Sequence, residues 1–240
     1  MPLQPDELKV AQRKLSQYLR HEDYVVDLIL SEDVVLRQFR VLQGVRQPDR
    51  PAALALASFL LHHQALFQGK RVIDMGTGTG IQGIVMALHG AAYVTLSDIS
   101  PAAARNATTN AAHFCRANST VNEGDLFNGL EGHADLIVFS HCWTVDGHIE
   151  QWRENLANCE RGKLIHRFLS EAPEFLTQAG VIVMPYMNSL GSANNPEIQG
   201  KHWGYEVVAH TCTFSPMTIY TLQVPTRACA SKVTPSNRSR

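Results

Sequence analysis

The chain has 240 residues, 45% of them hydrophobic and 18% charged, with a formal net charge of -1. That length suits one domain with an appendage and is enough to bury a full core. The near-neutral balance excludes a general field for nucleic acid, so affinity built mainly on phosphate contacts is disfavoured.

At the N-terminus, Asp6 can cap a helix in which Leu8, Ala11, Leu15, Tyr18 and Leu19 follow at helical spacing. The first ten residues carry Asp6 and Glu7 and no apolar core, so they do not read as a signal peptide. In the apolar stretch 24–42, the pairs Val25-Val26 and Val34-Val35 leave helix and strand both open. Residues 1–50 as a whole are assigned as a helical N-terminal segment that covers the active site or shapes the substrate pocket. Gly44, Pro48 and Pro51 mark a break. A helix over 52–67 is expected next, closed by Gly69. Its apolar run is far short of the roughly 20 residues needed to span a bilayer, so a cytoplasmic protein without a membrane span is expected.

From Lys70 the pattern changes. Residues 71–74 read as a buried strand, followed by a glycine-rich turn and a helix over 81–89. A strand is expected at 93–97, an alanine-rich helix at 101–114, and strands at 119–122 and 134–139. The last of these, a Leu-Ile-Val run, is typical of a sheet covered on both faces. Helices at 149–158 and 163–176 follow, with Gly180 as the stop of the second, then a strand at 181–184. Strands alternating with helices point to a parallel sheet with right-handed crossovers. Two strand-like runs, 205–214 and 217–224, have only Ser215-Pro216 between them, which permits only an antiparallel pair. The resulting division is 1–50, then a core domain over 51–225, then a polar tail over 226–240 expected to be disordered. The five cysteines, Cys115, Cys142, Cys159, Cys212 and Cys229, form no C-x-x-C pair and read as free thiols in a reducing compartment.

The chemistry concentrates in Asp74-Met75-Gly76-Thr77-Gly78-Thr79-Gly80. Alternating glycines between a buried strand and a helix let the backbone turn sharply and let a ligand approach closely, at a helix end rich in free N–H groups. Gly78, Gly80 and Gly83 also satisfy the G-x-G-x-x-G dinucleotide pattern, with Asp98 at the right distance for a ribose. A carboxylate at Asp74 would oppose a pyrophosphate, whereas it suits a ligand bearing an ammonium and a sulfonium. S-adenosylmethionine carries both.

The run from Val72 to Gly80 resembles the first motif of class I S-adenosylmethionine-dependent methyltransferases. Thr95-Leu-Ser-Asp98-Ile99 resembles their second-strand motif, Glu123-Gly-Asp125-Leu-Phe127 their acidic turn after strand three, and residues 134–139 their strand four. The resemblance implies a three-layer α/β Rossmann-like fold, with a mostly parallel seven-stranded sheet and an antiparallel final strand. It also implies site roles. Asp74, Gly76, Gly78 and Gly80 would line the methionine end, and Asp98 would accept both ribose hydroxyls. Ile99 would pack on the adenine, Asp125 would face its amino group, and Leu126 would lie beside the ring.

The acceptor lies just past strand four in this fold. The chain resembles two branches there: the release-factor glutamine methyltransferase-like branch, and seven-strand protein lysine methyltransferases, whose Gly-x-x-Gly helix is similar to the stretch from Gly80. The first branch has Asn-Pro-Pro-Tyr after strand four, where this chain has Ser140-His141-Cys142-Trp143. Ser140 would border the cofactor. His141 is a candidate general base, with a hydrogen-bonded structural histidine as the alternative. Trp143 is a candidate platform for a flat or cationic substrate, with a packing role as the equal alternative. Sequence does not place Asp146, His148 and His166 relative to the same mouth, and His202-Trp203 precedes the last strand pair, where by analogy with the resembling fold loops often border substrate. His62-His63 and His113-x-Cys115 lack partners at metal-ligand spacing, so no metal is expected.

The expected reaction is methyl transfer from S-adenosylmethionine to a heteroatom of a protein side chain or small molecule, in preference to RNA, with S-adenosylhomocysteine as product. The competing readings are a nicotinamide oxidoreductase and a binding protein that kept the fold and lost catalysis.

Overall fold

The computed structural model describes residues 22–141, 162–188, 191–212 and 217–225. The expected helices near the N-terminus and over 149–158 lie outside those residues, as do Cys142, Trp143, Asp146, His148 and the Ser215-Pro216 connection.

The first described elements are strands. β1 (Tyr24–Ile29) and β2 (Val35–Val41) pair antiparallel as a hairpin, with Tyr24 opposite Val41. The assignment of a wholly helical segment over 1–50 is corrected for this stretch. Val25, Val26, Val34 and Val35 lose side-chain freedom in a helix and fit a pleated surface. Leu28, Leu36, Phe39 and Val41 are buried, while Val25 and Ile29 face outward. Polar Ser31, Glu32 and Asp33 supply the turn between them.

The main body then alternates as expected. α1 (Pro51–His62) and a short 3-10 turn (Gln64–Leu66) lead into β3 (Arg71–Met75), α2 (Ile81–Leu88), β4 (Tyr93–Asp98), α3 (Pro101–Phe114), β5 (Ser119–Glu123) and β6 (Ala134–Phe139). After these come α4 (Lys163–Glu171), β7 (Leu176–Tyr186), α5 (Pro196–His202), β8 (Glu206–Thr211) and β9 (Thr218–Gln223). α1, α3 and α5 each place a proline in the first turn, where its missing N–H costs nothing. Asn195 caps α5 by accepting the amides of Glu197 and Ile198.

The seven strands run in the order β5–β4–β3–β6–β7–β9–β8. β3 pairs parallel with both β4 and β6, and β9 runs antiparallel to β7 and β8. The chain therefore turns back across the sheet at β3, and the crevice beyond the carboxyl ends of β3, β4 and β6 is the place where such sheets bind ligands. Helices cover both faces. Asp74 turns toward Gly83 of α2, while Phe139 of β6 lies 4.4 Å, ring to ring, from Phe168 of α4 on the other face. β6 is buried at Leu136, Ile137, Val138 and Phe139, which is why residues 136–139 are an unbroken apolar run.

One boundary differs from expectation. The helix expected over 163–176 ends at Glu171, and Gly180 lies inside β7. Pro173 cannot continue an α-helix, because it lacks the N–H and its ring clashes with the preceding turn. The chain passes through a 3-10 turn at Ala172–Glu174 and enters β7 early, with a register shift against β6 between Ala134 and Leu136. Among the described residues, no helix is long and apolar enough to cross a membrane.

Candidate cofactor site

The loop between β3 and α2 stands at that crevice. Gly76, Gly78 and Gly80 all have left-handed backbone, with φ of 64°, 57° and 90°. This is the conformation glycine adopts without penalty. The loop is fastened residue by residue. The Thr77 amide donates to the Ser97 carbonyl at 3.0 Å, and its hydroxyl donates to Asp74 Oδ2 at 2.5 Å. The Gly78 amide donates to Asp98 Oδ2 at 2.9 Å, and the Thr79 carbonyl accepts from Asn110 Nδ2 at 2.9 Å.

Asp74 is 2% exposed and lies beneath the loop. Its Oδ2 accepts both the Thr77 hydroxyl and the Gly83 amide at 2.9 Å, so one oxygen is committed to holding the loop on the helix. Burial pushes its carboxyl up to about 7, against the pull of those two hydrogen bonds, and the nearby charge of Asp98 adds to the rise. Asp98 ends β4 half-buried, with Oδ1 accepting the Ser100 amide at 2.9 Å. Burial raises its pKa as well. The amides of Gly78, Ser100 and Ile99 all act on this carboxylate, and its lone pairs still leave acceptor capacity for a ligand. Gly83, the third glycine of the dinucleotide-like pattern, serves packing: a Cβ there would sit 2.8 Å from Leu96 Cδ2 and 3.2 Å from Asp74 Oδ2.

The remaining candidates divide. Ile99 follows Asp98 and is 43% exposed. Asp125 is paired with Arg167 of α4, which donates to Oδ2 at 2.9 Å. Leu126 is buried at 5% exposure and carries the left-handed φ of 50°, costly for a branched residue. Ser140 is half-buried at the end of β6.

His141 is 1% exposed. Its Nε2 donates to the Asn194 carbonyl at 2.8 Å, and its ring stacks on Tyr186 at 5.9 Å and 14°. Burial pulls its pKa down to about 4, so the imidazole is neutral at pH 7 but weakly basic. General bases work best with a pKa near the operating pH. The arrangement suits the structural alternative better than the base. His166 accepts a hydrogen bond from Trp203 Nε1 at 2.9 Å, which ties α4 to the end of α5.

Sequence reasoning passed over Asn106 and Asn110, which are 0% and 1% exposed in the middle of α3. The signal was present. Asparagine is poorly suited to helix interiors, and two of them four residues apart mark one face with polar work to do. It also passed over the polar cluster beyond β7, where Asn188 Oδ1 accepts from Tyr220 Oη at 2.7 Å and from Asn195 Nδ2 at 3.1 Å.

A family model described as a methyltransferase domain matches residues 46–223. A Methanocaldococcus jannaschii protein, named as a candidate protein N5-glutamine methyltransferase, is 30% identical over 149 residues, covering 59% of this chain and 75% of the relative. The ribosomal protein L11 methyltransferase of Streptococcus equi subsp. zooepidemicus is 33% identical over 119 residues, 49% of this chain and 38% of the relative. The electron transfer flavoprotein beta subunit lysine methyltransferase of Mus musculus is 34% identical over 92 residues, 37% of this chain and 34% of the relative. The chain thus spans well under half the length of the last two. Among solved structures, the T. thermophilus 16S rRNA N2 G1207 methyltransferase in complex with AdoMet and guanosine superposes with a TM-score of 0.63 at 16% identity. It covers 85% of this chain and 51% of that one, and at that identity shows the fold alone. These matches set the nicotinamide reading aside. The chain belongs to the methyltransferase-domain family, as a class I S-adenosylmethionine-dependent methyltransferase domain.

Proposed function

We propose that the chain moves the methyl group of S-adenosylmethionine to a nitrogen of a protein side chain. The donor half rests on one observation: a glycine loop held open by Asp74, Asp98 and Asn110, with carboxylates where a dinucleotide's phosphates would be repelled. In this reading Gly76, Gly78 and Gly80 approach the methionine end of the cofactor. Asp98 takes the ribose hydroxyls on its free lone pairs, Ile99 packs on the adenine, and Asp125, Leu126 and Ser140 complete the rim. The acceptor half rests on the names of the three curated relatives, each a protein methyltransferase, and on a net charge of -1 that gives no field for RNA.

The reaction needs little covalent help from the protein. A neutral acceptor nitrogen attacks the sulfonium methyl in line, and the sulfur–carbon bond breaks with its electron pair going to sulfur, leaving S-adenosylhomocysteine. The methylated nitrogen then sheds its proton to water. The protein's contribution is alignment of nucleophile and methyl. His141 serves this as a neutral wall holding the turn at Asn194, and Trp143 as an aromatic surface for the acceptor. The N-terminal segment, residues 1–50, shapes the acceptor side.

Incubating the protein with tritiated-methyl S-adenosylmethionine and lysate fractions tests this. Label released by protease and stable to ribonuclease supports it. Label that follows RNA or a dialysable small molecule overturns the acceptor assignment, and no transfer to any fraction favours a binding protein that lost catalysis.

A further inference from the structure

Asn110 of α3 touches both the N-terminal hairpin and the glycine loop. Its Oδ1 accepts the Arg40 amide of β2 at 3.0 Å, and its Nδ2 donates to the Arg40 carbonyl at 2.8 Å. The second hydrogen on the same Nδ2 goes to the Thr79 carbonyl of the glycine loop at 2.9 Å. Both donors of the carboxamide are therefore used, one on the hairpin and one on the loop. Asn106, one turn earlier, makes the matching clamp on the hairpin alone. It accepts the Leu42 amide at 2.8 Å and donates to the Arg40 carbonyl at 2.9 Å. One turn later, Phe114 stacks on Phe39 of β2 at 5.6 Å. Three residues on one stripe of α3 thus seat the hairpin, and the middle one also reaches the loop.

We propose that Asn110 is a positioning residue that couples seating of the N-terminal hairpin to the conformation of the cofactor loop. This rests on the reading that the loop holds S-adenosylmethionine. The carboxamide is planar and nearly fully buried, so it cannot turn to follow the loop without giving up the Arg40 amide, while the Arg40 carbonyl keeps its bond to Asn106. If the hairpin lifts, the same amide loses the partners that hold it in plane, and the Thr79–Gly80 peptide loses its tether. That peptide opens α2 and follows Gly78, whose amide is pinned to Asp98. Coupling of this kind is reciprocal: cofactor on the loop must also tighten the hairpin.

The test is titration with S-adenosylhomocysteine, at a temperature where circular dichroism shows every variant folded. Asn110→Ala and Asn110→Asp, which both remove the donor to Thr79, are expected to raise Kd about tenfold. Asn106→Ala loosens the hairpin without touching the loop, so through the coupling it should also raise Kd, by a smaller factor of about threefold. An unchanged Kd in Asn106→Ala, or no effect at Asn110, overturns the coupling. Asp98→Ala is the control for the underlying reading: an unchanged Kd there would show that the loop is not the cofactor site, whatever Asn110 does. If the Asn110 variants do not fold, amide hydrogen exchange on the wild-type chain decides. Bound S-adenosylhomocysteine should slow exchange at Arg40, which Asn110 holds, more than at Leu42, which Asn106 holds. Equal slowing, or none, overturns the proposal.

Discussion

The carboxylate of Asp98 and the amide of Gly78, twenty residues apart in sequence, meet at 2.9 Å. The contact locks the glycine loop to the end of the neighbouring strand and points a half-buried acidic group at the crevice. Replacing Asp98 by alanine removes that lock together with the acceptors assigned to the ribose. Hydrogen bonds to charged groups are worth about 1.5–3 kcal/mol, so S-adenosylhomocysteine should bind roughly tenfold to a hundredfold more weakly. Calorimetric titration measures this directly. An unchanged Kd would remove Asp98 from the site.

The glycines of the loop serve two different ends, and substitution separates them. A methyl group on Gly83 would press on Leu96 at 2.8 Å and on the Asp74 carboxylate, forcing α2 away from the sheet. Gly83→Ala should cost about 1–3 kcal/mol of stability, the usual penalty for overpacking, read as a lowered urea midpoint. At Gly78 a methyl group meets no atom within 4 Å, so the penalty is the left-handed backbone alone, about 1 kcal/mol. That open space is where the cofactor is expected to come close, so Gly78→Ala should lose more in cofactor affinity than in stability. The reverse ranking would mean that the loop faces away from the ligand.

Much of this was legible in the chain. The elements from β3 to β6 fall within a residue or so of the pattern in the sequence, because a buried parallel sheet writes itself as apolar runs and its helices are bounded by Pro101 and the glycine turns. The hairpin was ambiguous because β-branched pairs at Val25-Val26 and Val34-Val35 do not declare a period, and tertiary docking on α3 decided them. The end of α4 was misplaced because Gly180 looks like a stop while Pro173 is the effective one. In the site, acidic residues at strand ends could be found by position. Their partners could not: nothing local to Asp125 announces Arg167, and nothing local to His141 announces Asn194 or the burial that lowers its basicity.

Asp74 and His141 also leave opposite marks on stability. Asp74 titrates at about 7 when folded against an ordinary 3.8, so folding takes up a proton and its contribution is lost as pH rises from about 4 toward 7. His141 titrates at about 4 against 6.5, so its contribution is present above 6.5 and is lost as pH falls toward 4. Between pH 4 and 6.5 the two slopes, each at most about 1.4 kcal/mol per pH unit, oppose one another. Asp74→Asn should therefore yield a stability that rises with pH across that window, and His141→Gln one that falls. Urea unfolding at half-unit steps of pH measures both. Parallel profiles in wild type and both variants would show that these groups do not titrate as their burial implies.

The same Asp74 should make cofactor binding sense pH. S-adenosylmethionine brings an ammonium and a sulfonium, and a nearby carboxylate favours them only when ionised. With a pKa of about 7 in the free protein, Asp74 is mostly protonated at pH 6 and mostly ionised at pH 8. If only the ionised form accepts the cation, Kd should fall about tenfold across that interval, with proton release on binding below pH 7. Titrations in two buffers of different ionisation enthalpy count those protons. Asp74→Asn should bind with a Kd that no longer varies over the interval. A wild-type Kd that is flat from pH 6 to 8 would place the methionine end out of reach of Asp74 and leave that carboxyl as a fastener of Thr77 and Gly83 alone.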